Sequence, residues 1–238
     1  MDSPTPASPP DADRRALGDV LLVAAVYLLP NTYFAFQEWF VTFTPLPVVF
    51  SELGLAVKAV AASALGLFLI LRSGEPPAAF GLTRPRWTHP FWGVLLWLGL
   101  FLVLLVTGAV IPPDSFGLPD RPAGALFPPP RTALDFALVA GAACLNGFGE
   151  EVVMRAVLQT RLERLMRSAA SAVVLTAVLF ALYHAYYGVV GAGLCGLVGL
   201  VLGVAFRLGR CLWPVAVAHA LQDFVPMLWA ADVANGAT

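Results

Sequence analysis

The sequence predicts an all-α membrane protein: a polytopic bundle of about seven transmembrane helices with its N-terminus in the cytoplasm. The first observation is composition, since 59% of the 238 residues are hydrophobic, only 12% are charged, and the mean hydropathy is +0.80. A soluble domain carries about a quarter charged residues. One membrane helix takes about 20 residues, so roughly 140 apolar residues furnish about seven. The second observation is that the apolar runs are separated by proline, glycine and arginine. The third is that the arginines fall almost entirely on one side of the spans those runs define.

Residues 1–15 read as a disordered N-terminal tail, because four prolines with Ser, Thr and Asp offer almost nothing to bury. Residues 16–238 then form one transmembrane domain. Arg14 and Arg15 ahead of Leu17 mimic a secretory signal, but no small-x-small cleavage site follows and the apolar run continues to Phe36, so it is read as the first span. Further spans are expected at 53–71, 91–111, 133–160, 172–187, 188–206 and 212–230. Thr44-Pro45-Leu46-Pro47, Ser73 to Pro77, Pro112-Pro113 and Pro128-Pro129-Pro130 end the helical pattern between them. Spans five and six have no charge between them; Gly188 and its neighbouring tyrosines mark that turn. The glycines of span six, from Gly188 to Gly203, predict close helix packing.

With the N-terminus inside, Arg14, Arg15, Arg72, Arg84, Arg86, Arg161, Arg164, Arg167, Arg207 and Arg210 fall in cytoplasmic segments, and only Arg121 and Arg131 fall outside. That asymmetry sets the orientation, with the C-terminus outside. The balanced charge of −1 leaves no basic footprint for nucleic acid. Cys144, Cys195 and Cys211 lack the spacing of a zinc site or a disulfide framework and read as small core residues.

Ionisable groups near the centre of a bilayer cost at least about 2.5 to 3.5 kcal/mol each, so each is a functional candidate. They concentrate in three spans: Glu150-Glu151-Val152-Val153-Met154-Arg155 in span four, Phe180 to His184 in span five, and His219 to Asp223 in span seven. Glu151 and Arg155 share one helix face at a spacing of four, and Glu150 lies about 100° round the helix. The expectation is that Arg155 neutralises Glu151 while Glu150 faces other partners, His184 and His219. Phe180 would pack on the imidazole of His184, and Asp223 would fix the tautomer of His219. A carboxylate base, two oriented imidazoles and a charge-balanced support suit water activation, oxyanion stabilisation and acyl hydrolysis. For Lys58, Asp135 and Glu163 the expected roles are snorkelling, a helix-start charge and a solvated interfacial residue. His89 is expected outside the site.

These motifs resemble those of the CPBP family, the CAAX protease and bacteriocin-processing enzymes also called the Abi family. Glu150-Glu151-x-x-x-Arg155, Phe180-x-x-x-His184 and His219-x-x-x-Asp223 follow its pattern in order, with Phe80-Gly81-Leu82 and Leu212-Trp213-Pro214 as matching context. The likeness is specific over about residues 145–226, inside a motif-bearing core at 132–230. It implies an intramembrane glutamate endopeptidase in which Glu150 and His184 activate water, His219 and Asp223 line the oxyanion side, and Glu151 and Arg155 support. The implied substrate is a membrane-proximal or lipidated protein or peptide, with no cofactor. Met154 and Ala156 depart from the usual aromatic and glycine around the arginine. Asp223 stands where the prenyl proteases have asparagine, and an ionised carboxylate cannot donate to an oxyanion. The competing readings are a zinc metalloprotease using the same residues, a scaffold or bacteriocin-immunity protein that retains the motifs without catalysis, and a proton-coupled transporter.

Overall fold

The structure, a computed structural model, describes residues 9–40, 47–111 and 128–236. Residues 1–8 of the expected tail, Arg121, and the breaks at 44–46 and 112–113 lie outside the described residues. Within them the chain is helical and contains no strand. Helices α1 (Pro9–Val23) and α2 (Leu29–Phe40) are joined by a π turn, Ala24–Leu28. Then follow α3 (Val48–Ser73), α4 (Thr88–Val110) and α5 (Ala133–Glu151), which runs through a π segment, Val152–Gln159, into α6 (Thr160–Met166). The last three are α7 (Ala169–Tyr183), α8 (Gly188–Gly209) and α9 (Leu212–Gly236). The result is an all-α polytopic membrane bundle with rods at the seven expected places.

By length and composition, five described helices are able to cross a membrane: Asp11–Gln37, Val48–Ser73, Thr88–Val110, Ala133–Met166 and Ala185–Gly209. The two outside that set carry the histidine motifs. α7 has only 15 residues, and the apolar run of α9 is broken by His219, Gln222 and Asp223. α1 begins at Pro9, inside the expected tail, so residues 9–15 are helical. Proline suits a first turn, where no intrahelical N–H is needed, and Asp13 ties the helix down through an ion pair with Arg164 at 2.8 Å. The break between spans five and six is real but falls earlier than expected: α7 ends at Tyr183, and a 3-10 turn, Ala185–Tyr187, leads into α8.

In lipid, packing and not water exclusion holds helices together. The centre is built around the π segment, whose residues Val152 to Gln159 are all buried. α4 turns Leu98, Leu102, Leu105 and Val106 outwards, as a lipid-facing helix must. α8 packs along α7 as its glycines predict, with Gly199 against Ala177 and Phe180. The cysteines do not fill the core: Cys144 is exposed, and Cys195 and Cys211 are half-buried.

Many of the charges meet at one end of the bundle. Asp19 accepts from Arg72 at 2.5 Å and from Arg161 at 2.8 Å, and Arg161 also reaches Glu75 at 2.5 Å. Glu163 takes Arg210 at 2.5 Å, with Arg207 at 3.7 Å, so the expected solvated residue is an ion-pair hub. The Phe80-Gly81-Leu82 and Leu212-Trp213-Pro214 segments join there as well, through Leu212 N–H on the Gly81 carbonyl at 2.9 Å and the Trp213 indole on the Thr83 carbonyl at 2.7 Å.

Candidate active site

α5 starts in a capping box, in which the Thr132 hydroxyl accepts from the Asp135 N–H and the Asp135 carboxylate returns to the cap. Asp135 is thus the helix-start charge the sequence predicted. From there the helix carries Asn146 and Glu150 on one face, four residues apart. Its neighbours come very close. A Cβ on Gly149 would sit 2.5 Å from the Ala59 carbonyl oxygen of α3, and one on Gly147 would sit 2.6 Å from the Ala220 nitrogen of α9. Only glycine permits that approach. It brings Lys58 and His219 to Glu150.

Glu150 is fully buried. Its Oε1 accepts from Lys58 Nζ at 2.8 Å, and its Oε2 accepts from the Tyr183 hydroxyl at 2.9 Å. Lys58 therefore does not snorkel; the carboxylate holds it inside, with its side chain 32% exposed. Glu151 points elsewhere, as helix geometry predicted. Its Oε2 lies 3.1 Å from Arg155 Nε, and its Oε1 meets His219 Nδ1 at 2.8 Å. The guanidinium of Arg155 lies 5.3 Å from the Phe180 ring centre, completing a buried support.

The histidines are held differently. His184 Nδ1 lies 2.8 Å from the Phe180 carbonyl, and its ring packs on Phe180 at 4.5 Å between centroids. A carbonyl only accepts, so Nδ1 carries the proton and Nε2 holds the lone pair of the neutral ring. His219 is oriented by Glu151, not by Asp223 as the spacing suggested. Asp223 Oδ1 lies 3.6 Å from His219 Nε2, and Glu150 Oε2 lies 3.8 Å from the same atom. Both exceed a hydrogen bond. Asp223 instead accepts from Asn146 Nδ2 at 2.9 Å, because the close α5–α9 packing puts that amide nearer than the imidazole.

A cavity of about 340 Å³ opens among these groups. Glu150, Phe180, His184, His219 and Asp223 line it together with Lys58 and Asn146, whereas Glu151 and Arg155 do not. The catalytic candidates and the supporting pair are thus on two sides of one wall, Phe180 excepted. His89 is far from it, accepting the Arg86 N–H at 3.1 Å. Among the described residues, no group of three His, Cys, Asp or Glu side chains is arranged to hold a metal ion.

Sequence reasoning missed Lys58, Tyr183 and Asn146. Lys58 had a signal, as the only lysine beside thirteen arginines and inside a span. Asn146 had another, one helical turn before Glu150.

Residues 132–225 match the family model of Rce1-like proteins, described as type II CAAX prenyl endopeptidase Rce1-like. The match covers 94 of the 238 residues and supports the resemblance to the CAAX proteases of the CPBP family. No curated protein and no solved structure matches it. The match begins at the Thr132 cap and ends two residues after Asp223, so it contains Glu150, Glu151, Arg155, Phe180, His184, His219 and Asp223 and omits Lys58. That similarity and the five long apolar helices support a CAAX-type protease in a multi-pass membrane protein, acting on a protein or peptide at the bilayer.

Proposed function

We propose that this chain is an intramembrane endopeptidase that cleaves a peptide bond of a membrane-proximal or lipidated protein, with Glu150 and His184 activating the water. The observation that carries the reading is a fully buried carboxylate facing a cavity shared with both imidazoles. Water between Glu150 and the Nε2 lone pair of His184 gives up a proton to the carboxylate as its oxygen attacks the scissile carbonyl. Charge then develops on the carbonyl oxygen, and the donors on that side are His219 Nε2–H and the Asn146 amide. Glu151 accepts from His219 Nδ1–H, while the carboxylates nearest Nε2 stand 3.6 and 3.8 Å away, so Nε2–H of the protonated ring is left for the substrate oxygen. Asp223, which cannot donate when ionised, positions the Asn146 amide, as Glu151 positions His219. Collapse breaks the C–N bond, and the proton on Glu150 passes to the leaving amine.

The reaction is proposed to be metal-independent, and the N-terminus to be cytoplasmic, the arginine-rich end facing the same way. Two measurements test this. Membranes of cells expressing the protein or its Glu150→Ala variant are compared by proteomics for a shortened membrane protein; equal cleavage in both refutes the reading. Cleavage by purified, chelator-treated protein, with metal content measured on the same sample, separates it from zinc chemistry.

A further inference from the structure

The cavity has a direction. Counted at about 1.5 Å per residue from the arginine-rich end, Glu150 lies roughly 16 Å in from Arg161 and His219 roughly 14 Å in from Arg210. The other lining residues lie at similar depth or farther: by the same count Lys58 is roughly 21 Å and Glu52 roughly 30 Å from Arg72, and Cys195 roughly 18 Å from Arg207. On α9 the lining continues outward through Pro226 and Met227, and on α5 it reaches back to Val139, towards the end opposite the arginines.

The arginine side is sealed. Val152 to Leu158 are at most 1% exposed, and Leu69, Ile70, Phe80, Leu202, Phe206 and Leu212 pack solid beneath the site. Gln159 closes the remaining seam by donating to the Gly203 carbonyl at 3.1 Å. No lining residue comes from this layer.

The opposite end of the cavity carries a carboxyl group. Glu52 is 5% exposed and lines the cavity, and no hydrogen bond or ion pair reaches its carboxyl group among the described residues. A buried carboxyl group without a protein partner must be hydrated. Its site, four residues into α3, is where bulk water would enter from that side.

We infer that the cavity admits its peptide from the non-cytoplasmic face of the membrane, so that the substrate class is an exported or externally exposed juxtamembrane segment. This rests on the peptidase reading above, and on the arginine-rich end being cytoplasmic. Glu150 is reached from the outer half of the bilayer, and the buried layer of the π segment isolates it from the cytoplasm.

The test uses Cys195, a native thiol in the cavity wall. In full-length Cys144→Ser/Cys211→Ser protein, a membrane-impermeant charged methanethiosulfonate is applied to right-side-out and to inverted vesicles, and Cys195 modification is followed by mass. Glu52→Cys in a cysteine-free background repeats the measurement at the mouth, and Arg164→Cys marks the arginine-rich end. The expected result is at least tenfold faster modification of Cys195 and Glu52→Cys in right-side-out vesicles, with Arg164→Cys reacting in inverted ones. Cavity thiols that react on the same face as Arg164→Cys overturn the inference. So does Arg164→Cys reacting from outside, and so do cavity thiols protected on both faces. Labelling needs no turnover, so it survives Glu150→Ala. A failed peptidase reading shows instead as unchanged cleavage in that variant.

Discussion

Two charge clusters sit in this oily chain, and they are built to different rules. In the arginine-rich belt the buried groups are consumed by their neighbours: Arg161 gives Nε to Asp19, Nη1 to Glu75, and its guanidinium face to Phe80 at 4.7 Å. The contacts around Asp19 and Arg161 run from 2.5 to 2.8 Å, and none of these residues lines the cavity. Around Glu150 the supporting contacts are also within hydrogen-bond distance, at 2.8 and 2.9 Å, yet His219 Nε2 stops 3.6 Å from Asp223 and 3.8 Å from Glu150. Those gaps face a cavity. The belt closes its electrostatics within the protein, whereas the site leaves capacity for a third party, and that separates a structural lock from a reactive centre in a chain with 29 charges.

The comparison breaks most severely if the two clusters respond alike to mutation. Glu150→Gln should cut peptide hydrolysis by about a hundredfold to ten-thousandfold, the usual contribution of a general base, while leaving the thermal midpoint in detergent close to that of the parent. Arg161→Ala should do the reverse. Removing one partner of a buried ion pair costs about 3 to 5 kcal/mol, and Asp19, 2% exposed, keeps only Arg72; unfolding in detergent should show this loss with turnover per folded molecule unchanged.

Lys58→Met sharpens the contrast from inside the site. Losing a hydrogen bond to a charged group is worth about 1.5 to 3 kcal/mol, so turnover should fall roughly tenfold to a hundredfold, with Lys58→Arg restoring part of it. Equal loss in both variants would leave Lys58 as packing alone. The smallest effect belongs to Arg164→Ala. Its pair with Asp13 is between exposed side chains, at 37% and 45%, and such pairs contribute about 0 to 1 kcal/mol that added salt removes. A larger shift in the thermal midpoint would mean that the first helix depends on this contact.

Much of the site was legible because charge is scarce: Glu150, Glu151, Arg155, His184, His219 and Asp223 stand out against apolar spans, and helix periodicity alone turned the two glutamates in different directions. The belt was half legible. Its arginines announced a membrane face, but Asp19 inside the first span and Glu75 in a loop gave no hint that they would share Arg161. Lys58 was misread for the same reason, since its partner lies 92 residues away and periodicity relates only residues on one helix.

The sequence by itself determined the membrane class, the seven helical rods and the residues able to do chemistry, because hydropathy and a 3.6-residue repeat are local properties of the chain. Only the tertiary structure decided which acid meets which base. Gly147 and Gly149 let α3, α5 and α9 approach closely enough to give Glu150 a lysine and to hand His219 to Glu151 and not Asp223, and the end of α7 adds the Tyr183 hydroxyl beside the cavity. Those choices depend on separations of a few ångströms between distant segments, which packing sets and spacing along the chain does not record.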